Sequence, residues 1–186
     1  MFTLHKVYVT KYMKNKILLK LLLIVLFPFI ELSAQDSDGN TYKTNERLFH
    51  ISRSLNKNLV CYDVNLDGDK LDVKKPINVY WVNREEKPGK TNGLNIFERK
   101  MAYGYKLISS DSEKATCSLT AYPGRQLTVA KKNGKYVCLI QIDNKKAILQ
   151  SLYVKANPKN SLSVEYVELR GVTVDTNQKV TERVKK

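Results

Sequence analysis

Short runs of β-branched, aromatic and aliphatic residues recur between turn signals from Leu48 to the end of the chain. This recurrence constrains the fold more than any other feature, because many short strands at regular spacing are typical of antiparallel sandwiches and barrels. Asn133-Gly134, between the runs 126–131 and 135–142, is the strongest hairpin signal. There are about nine such runs, which is more than the number of strands in an average sheet. The sequence therefore predicts a mainly β fold, as an antiparallel β-sandwich or a closed β-barrel.

One segment departs from the strand pattern. Three apolar residues recur there at helical spacing: Leu94, Phe97 and Met101. Thr91 or Asn92 can cap the first turn, and Gly104 ends the periodicity. The pattern predicts one short helix over Leu94–Tyr103, with the apolar stripe packed on the sheet.

The N-terminal residues have the order of parts of a secretory signal peptide. Lys14 and Lys16 precede an apolar run, 17–30, and Ala34 offers a small residue at a cleavage site. The uninterrupted apolar part is shorter than the roughly 20 residues that a membrane span needs. We expect a signal peptide at 1–34, a flexible lead-in at 35–46 and a single β-rich domain at 47–186. The mature protein is then periplasmic or secreted, with no transmembrane segment after cleavage; a permanent anchor is the alternative.

The chain is strongly basic, with 32 lysines and arginines against 18 aspartates and glutamates. A net charge of +14 favours anionic partners, such as phosphate-bearing glycans or lipid headgroups. The lysines occur singly or in pairs along the whole chain, so a solvated basic surface is the simpler explanation. Export and the lack of an arginine-rich block argue against nucleic acid as the partner.

The cysteines number three: Cys61, Cys117 and Cys138. In an oxidising compartment the arithmetic favours one disulfide and one thiol. Cys117 and Cys138 fall on what the pattern indicates are neighbouring strands and are the preferred pair. All three have apolar neighbours in the sequence, so buried thiols are the alternative.

A polar stretch beginning in the first strand is the candidate binding site. Its predicted ligand-binding residues are His50, Arg53, Asn56, Asn58 and Tyr62. A guanidinium can hold a carboxylate or phosphate through two hydrogen bonds, amides add directional bonds, and an aromatic ring can stack on a sugar. We expect Arg53, Asn56 and Asn58 to converge on one patch with His50 or Tyr62. The architectural alternative pairs Arg53 with Glu98 or Asp63 and uses the asparagines to close turns.

His50 is the only histidine outside the leader, and it limits the enzymatic alternatives. A hydrolase would have to use it, with Ser52, Ser54 or Cys61 as the nucleophile. No Gly-x-Ser-x-Gly motif is present. The preferred interpretation is a non-enzymatic exported domain that binds a small ligand or an envelope glycan or protein. The alternative is a hydrolase centred on His50.

No cofactor is predicted, although one segment leaves calcium open. Asp63–Asp69 places oxygen ligands at alternate positions around Gly68, as in the first half of an EF-hand loop. Lys74 stands where the twelfth-position glutamate of that loop belongs, and the flanks have strand character. Asp67-Gly68 is equally a hairpin turn that needs no ion. Zinc is disfavoured because one histidine and three scattered cysteines do not form a four-ligand site.

Three parts of the chain together carry a family resemblance. They are Phe49-His50-Ile51-Ser52-Arg53-Ser54 with Asn56, Asn58 and Tyr62; Pro76-Ile77 with Val79-Tyr80-Trp81; and Tyr103-Gly104-Tyr105. The chain resembles the domain of unknown function 4833 family of exported Bacteroidetes proteins over most of Leu48–Leu169. The Ser33-Ala34-Gln35 ending of the leader is similar to signals of that group. The resemblance implies export and supplies no activity, cofactor or catalytic residue.

Overall fold

The computed structural model describes residues 47–185, apart from the side chains of Ser161 and Leu162. The expected signal peptide (1–34) and lead-in (35–46) lie outside the described residues. Thirteen strands run through the described range, more than the nine that the turn signals indicated. They are β1 (Arg47–Arg53), β2 (Asn56–Val64), β3 (Leu66–Asp67), β4 (Lys70–Leu71), β5 (Ile77–Val82), β6 (Thr91–Gly93), β7 (Tyr105–Ser110), β8 (Lys114–Leu119), β9 (Tyr122–Lys132), β10 (Lys135–Ile142), β11 (Lys145–Asn157), β12 (Asn160–Thr173) and β13 (Lys179–Lys185).

One large sheet contains every strand except β3 and β4, which form a separate hairpin. The long strand β11 lies at its centre. Along one edge β11 pairs first with β10 and then with β1, while β12 follows the opposite edge. The sheet therefore has two arms on that first edge, β10-β9-β8-β7 and β1-β2-β5-β6, and a third part formed by β12 and β13.

The sheet curls into a half-barrel. The prediction of a mainly β fold with one short helix is confirmed, whereas the closed barrel and the strictly antiparallel sheet are wrong. One mixed sheet replaces the two packed sheets of a sandwich. The exception to antiparallel pairing is β1 with β11, which run parallel from His50–Ser151 to Arg53–Val154. A parallel pairing needs a long connection, and nine strands lie between these two in the chain, so local turn signals could not reveal it.

The inner face of the half-barrel holds the main hydrophobic core. Alternate residues of the strands point inward, as the period of two requires, and Phe49 stacks on Tyr62 with ring centroids 4.2 Å apart. Val129, Cys138 and Leu149 on the central strands are fully buried. Trp81 is partly buried and packs against the margin of this core.

The helical segment is shorter than predicted and is differently wound. An α-helix, α1 (Ile96–Glu98), passes directly into a π-helical turn, Arg99–Tyr103. Its cap is Asn95, whose side chain accepts from the Glu98 amide while the Glu98 carboxylate accepts from the Asn95 amide. The predicted caps, Thr91 and Asn92, are wrong because both residues belong to β6.

The predicted packing of the apolar stripe is also wrong. Leu94 is buried, but Phe97 is 70% and Met101 62% exposed. The physical reason is that Leu94 precedes the helix and the π-helical turn adds a residue to the winding. Tyr103 and Ala102 pack against the core instead.

The preferred disulfide, Cys117 with Cys138, is wrong as well. Cys117 on β8 pairs in register with Leu127 of β9, and Cys138 on β10 pairs with Val129 of the same strand. Because β9 lies between them, the two cysteines are not neighbours, and both are buried thiols. Burial raises the pKa of Cys117 to about 12. No helix in residues 47–185 is long and apolar enough to cross a membrane.

Candidate functional site

The first half of β5 is an open sheet edge. On one side β5 pairs with β2 along its whole length, but on the other side β6 pairs only with Tyr80–Val82. Within the described residues, Ile77–Val79 has no strand on that side. Tyr105 of β7 approaches it there, because the Tyr105 hydroxyl lies 3.3 Å from the Ile77 nitrogen and 3.1 Å from its carbonyl oxygen.

Two adjoining pockets lie along this open edge. They share three lining residues, Lys75, Val79 and Arg99, and we name them together the basic cleft. Other residues line one pocket or the other: Lys74, Ile77, Leu94, Gly104, Tyr105 and Leu107 in the first, and Asp63, Val64, Asn65, Asn78, Tyr80, Thr91, Asn92 and Gly93 in the second. The cleft is thus formed where two ends of the sheet face each other without pairing.

The first pocket has an apolar floor and a cationic rim. Its volume is about 270 Å³. Ile77 and Leu94 in the floor are buried, with Val79 and Leu107 partly so. Lys74, Lys75 and Arg99 are exposed at the rim. This arrangement suits a ligand that combines a short apolar group with a negative charge.

The second pocket is larger and more polar, with a volume of about 590 Å³. Asn78 and Asn92 are exposed on its wall and offer amide groups for directional hydrogen bonds. Asn65 is already engaged, because its amide nitrogen donates to the Asp72 carboxylate at 3.0 Å and to the Lys75 carbonyl at 2.9 Å. These bonds fix the backbone immediately before β5 and so position Lys75.

The charge balance of the basic cleft is positive. Within the described residues, Lys74, Lys75 and Arg99 take part in no salt bridge. The one lining carboxylate, Asp63, is paired with the Arg47 guanidinium. An anion that enters the cleft therefore meets three cations and an already neutralised carboxylate.

Tyr80 joins the Arg47–Asp63 pair to form a cluster of three side chains. Its hydroxyl donates to Asp63 and accepts from the Arg47 guanidinium at 3.3 Å. Desolvation, and then the bond to Asp63, raises the pKa of Tyr80 to about 12, so the phenol stays protonated at neutral pH. The cluster holds the wall of the second pocket rigid across three strands.

The structure brings two of the predicted binding residues together at Tyr103. The Arg53 guanidinium donates to the Tyr103 hydroxyl at 2.9 Å, and the Tyr62 hydroxyl donates to the Tyr103 carbonyl at 2.7 Å. Trp81 packs edge-on against the same ring, with centroids 5.2 Å apart. Tyr62 is fully buried, so its ring belongs to the core. The two carboxylates considered as partners of Arg53 have other contacts, because Glu98 accepts from the Trp81 indole and Asp63 pairs with Arg47.

The other three predicted residues are placed differently. The Asn56 side chain accepts from the Asn58 amide at 2.8 Å, and the Asn58 side chain accepts from the Arg84 amide at 2.9 Å, so both asparagines hold loop backbone. His50 alternates along β1 with the core residues Phe49 and Ile51 and is on the opposite face from them. Ligand binding by any of the five residues stays a prediction.

The loop considered for calcium is a tight hairpin. Asp67 pairs with Lys70 across β3 and β4, and Gly68 has the positive φ, 61°, that such a turn favours. In the described part of the chain, no three histidine, cysteine or acidic side chains are grouped as a metal site would need. Calcium binding remains untested.

Sequence reasoning missed the cationic residues of the basic cleft. Lys74 and Lys75 form an adjacent pair directly before Pro76 and β5, which was the available signal. Their pairing in space with Arg99, from the helical segment, depends on the curl of the sheet. A dispersed set of lysines therefore concealed one local concentration of charge.

One of the comparisons with known proteins identifies a family, and none gives a more specific relationship. No curated protein and no solved structure matches the chain. The family model described as "Domain of unknown function (DUF4833)" matches residues 49–183, which include all residues of the basic cleft and, except for Arg47 and Leu48 of β1, both arms of the sheet. The resemblance in the sequence is thereby confirmed, and the chain belongs to the domain of unknown function family DUF4833.

Proposed function

We propose that this protein is an exported, non-enzymatic β domain that binds a small anionic ligand of the cell envelope in the basic cleft. The observation that carries the proposal is the set of three cations, Lys74, Lys75 and Arg99, around one apolar floor. Cationic side chains without internal partners are available to an incoming carboxylate or phosphate. The leader supports export to the periplasm or the exterior.

The shape of the cleft supports a ligand with two chemically different parts. The first pocket, at about 270 Å³, is smaller than most pockets for drug-sized ligands. It accommodates a short alkyl or acyl group over Ile77 and Leu107. The polar second pocket, with Asn78 and Asn92, has room for a sugar or glycerol unit. An anionic group then lies between the two pockets, where Lys75 and Arg99 line both.

The walls of the cleft are held by internal bonds before any ligand enters. Tyr105 fixes the edge of β5, and the Arg47–Asp63–Tyr80 cluster fixes its far wall. A pre-formed site loses less entropy on binding than a mobile one. This favours binding over a role in which the segment orders only on contact with a large partner.

The structure gives less support to the hydrolase alternative. It needs a reactive nucleophile beside His50. Cys61 is the register partner of His50 on β2 and is fully buried. The Ser54 hydroxyl oxygen accepts from the Ala156 amide at 3.1 Å, which directs it to a structural contact.

The test measures anion binding with a charge-matched control. The variant Lys75→Met/Arg99→Met removes two cations from the cleft, and Lys135→Met/Lys179→Met removes two exposed lysines of β10 and β13. The probes are inorganic phosphate and n-hexyl phosphate, measured by titration calorimetry at low salt. We expect the cleft variant to weaken hexyl phosphate binding by about 10-fold or more, and the control by less than about 2-fold.

The two probes separate a built site from general attraction to a basic protein. Binding in the cleft predicts tighter binding of hexyl phosphate than of inorganic phosphate, because only the former has an apolar group for the floor. Equal losses in both variants, or equal affinity for both probes, would overturn the proposal. Thermal unfolding of each variant confirms that the fold is retained.

A further inference from the structure

The helical segment carries three large apolar side chains that are exposed. Ile96 is 75%, Phe97 70% and Met101 62% accessible, and we name these three residues the apolar tip. They are the most exposed large hydrophobic residues in the described part of the chain. Exposed apolar groups that cluster, as these do within six residues, mark an interaction surface more often than scattered ones do.

The exposed charged residues next to the apolar tip are both basic. Arg99 and Lys100 lie between Phe97 and Met101 and are exposed. The only acidic residue of the segment, Glu98, is turned toward the protein. Its carboxylate accepts from the Trp81 indole at 3.2 Å and from the Asn95 amide at 2.9 Å. The outward face is therefore apolar and cationic.

The fold holds this face in place. The capping box of Asn95 and Glu98 fixes the first turn of the segment. At its other end, Tyr103 is buried and is bonded by Arg53 and Tyr62. Gly104 packs so closely on the segment that a Cβ there would lie 2.0 Å from the Arg99 carbonyl oxygen. The three apolar side chains are thus exposed in a segment whose two ends are fixed by hydrogen bonds.

We propose that the apolar tip docks this protein on an anionic lipid bilayer. Phe97, Ile96 and Met101 enter the interface between headgroups and acyl chains, while Arg99 and Lys100 contact lipid phosphates. Apolar side chains surrounded by lysine and arginine are the composition of interfacial membrane-binding segments. Charge complementarity favours this partner, because residues 35–186 carry a formal net charge of +10 and bilayers rich in anionic lipid attract basic segments.

A protein partner fits the apolar tip less well. A stable protein interface covers about 800 Å² on each partner, and three side chains on one short helical segment bury much less. A bilayer needs no complementary shape, so a small convex tip suffices. The proposal goes beyond ligand binding in the basic cleft and does not depend on it.

The test uses two pairs of substitutions at exposed apolar residues. Ile96→Ser/Phe97→Ser removes most of the tip, and Leu66→Ser/Val73→Ser is the matched control at exposed sites of the β3–β4 region. Protein is expressed from the full chain, and the N-terminus of each product is determined so that all variants carry the same leader residues. Co-sedimentation measures binding to phosphatidylcholine vesicles with and without about one-third phosphatidylglycerol.

We expect the tip variant to lose about 10-fold or more of its affinity for the anionic vesicles, since two large apolar side chains no longer enter the interface. The control variant should bind as the unaltered protein does. Arg99, which also lines the cleft, is left unchanged, so a failed cleft does not affect this outcome. Equal binding by the tip variant and the unaltered protein, or capture of neither by the vesicles, overturns the proposal.

A second measurement reports the tip directly. Phe97→Trp places an indole at the apolar tip, in addition to the single natural tryptophan, Trp81. Insertion predicts a shift of the emission to shorter wavelength when anionic vesicles are added, and quenching by lipids brominated on their acyl chains. Emission that is unchanged while the protein sediments with the vesicles would show binding through another surface and overturn the assignment to the tip.

Discussion

The hydroxyl of Tyr105 satisfies both backbone groups of Ile77, because it accepts from the amide at 3.3 Å and donates to the carbonyl at 3.1 Å. A side chain thus supplies bonds that a neighbouring strand supplies elsewhere in the sheet. Ile77 is almost fully buried, so water cannot replace the phenol without opening the edge. This contact joins the two ends of the half-barrel at the basic cleft.

Replacing Tyr105 with Phe tests the importance of that contact. The ring is kept, but two buried backbone groups lose their partner, which costs about 1–3 kcal/mol of unfolding free energy. Urea denaturation of the variant measures the loss. The control is Tyr153→Phe, whose hydroxyl has no hydrogen-bond partner within the described residues and whose loss should be under about 0.5 kcal/mol. Equal stabilities of the two variants would show that the Tyr105 hydroxyl contributes nothing.

One source of acid sensitivity should be a clamp between β9 and β13. Arg125 holds the Glu182 carboxylate through two bonds of 2.7 and 2.8 Å, and these bonds, before other causes, lower the pKa of Glu182 below 4.5. Since the folded protein then binds fewer protons than the unfolded chain, the stabilisation is present above about pH 4.5 and is lost as the pH falls further. Arg125→Met should cost about 1 kcal/mol at pH 7, because the pair is partly exposed.

Comparison of two pH values makes this prediction specific. At pH 3, Arg125→Met and the unaltered protein should differ less in unfolding free energy than at pH 7. The control is Lys57→Met, which breaks a pair with Glu85 whose lysine side chain is 80% exposed, and it should have no measurable effect at either pH. A loss from Arg125→Met that is the same at pH 3 and pH 7 would contradict an electrostatic origin.

The local parts of the fold could be predicted from the sequence because their signals are local. Asn133-Gly134 forms the β9–β10 hairpin, with both residues at positive φ, as the dipeptide indicated. The parallel pairing of β1 with β11 could not be predicted, since it joins residues about a hundred positions apart. The predicted disulfide between Cys117 and Cys138 is wrong for a related reason. Which strands are neighbours in a sheet depends on the strand order, and local signals do not give that order.

The candidate site was predictable only in part. Arg53 and Tyr62 do meet, at Tyr103, but as supports of the helical segment and the core. The basic cleft combines the adjacent pair Lys74 and Lys75 with Arg99, which lies more than twenty residues further along the chain, and no periodicity links Lys75 to Arg99. The π-helical turn was equally hidden, because its extra residue changes which side chains face outward.

The last prediction concerns Gly171, where β11 and β12 pair as antiparallel neighbours. β11 contains an irregularity between Leu149 and Ser151, and Gly171 lies opposite it. A Cβ at Gly171 would lie 2.3 Å from the Ile148 carbonyl oxygen and 3.0 Å from the Ile142 side chain. The backbone cannot yield easily here, because β11 connects both arms of the sheet to β12. Gly171→Ala should therefore lower the unfolding free energy by about 2 kcal/mol or more.

Gly124→Ala is the matched control for this substitution. Gly124 also lies in a strand, β9, but a Cβ there would meet no atom within 4 Å. Because its φ does not require glycine, alanine should be neutral or slightly stabilising through the unfolded chain, by less than about 1 kcal/mol. Denaturant unfolding compares the two variants directly. If Gly171→Ala proved as stable as Gly124→Ala, the close approach of β11 and β12 would have to be wrong, and with it the register that places Gly171 opposite Leu149.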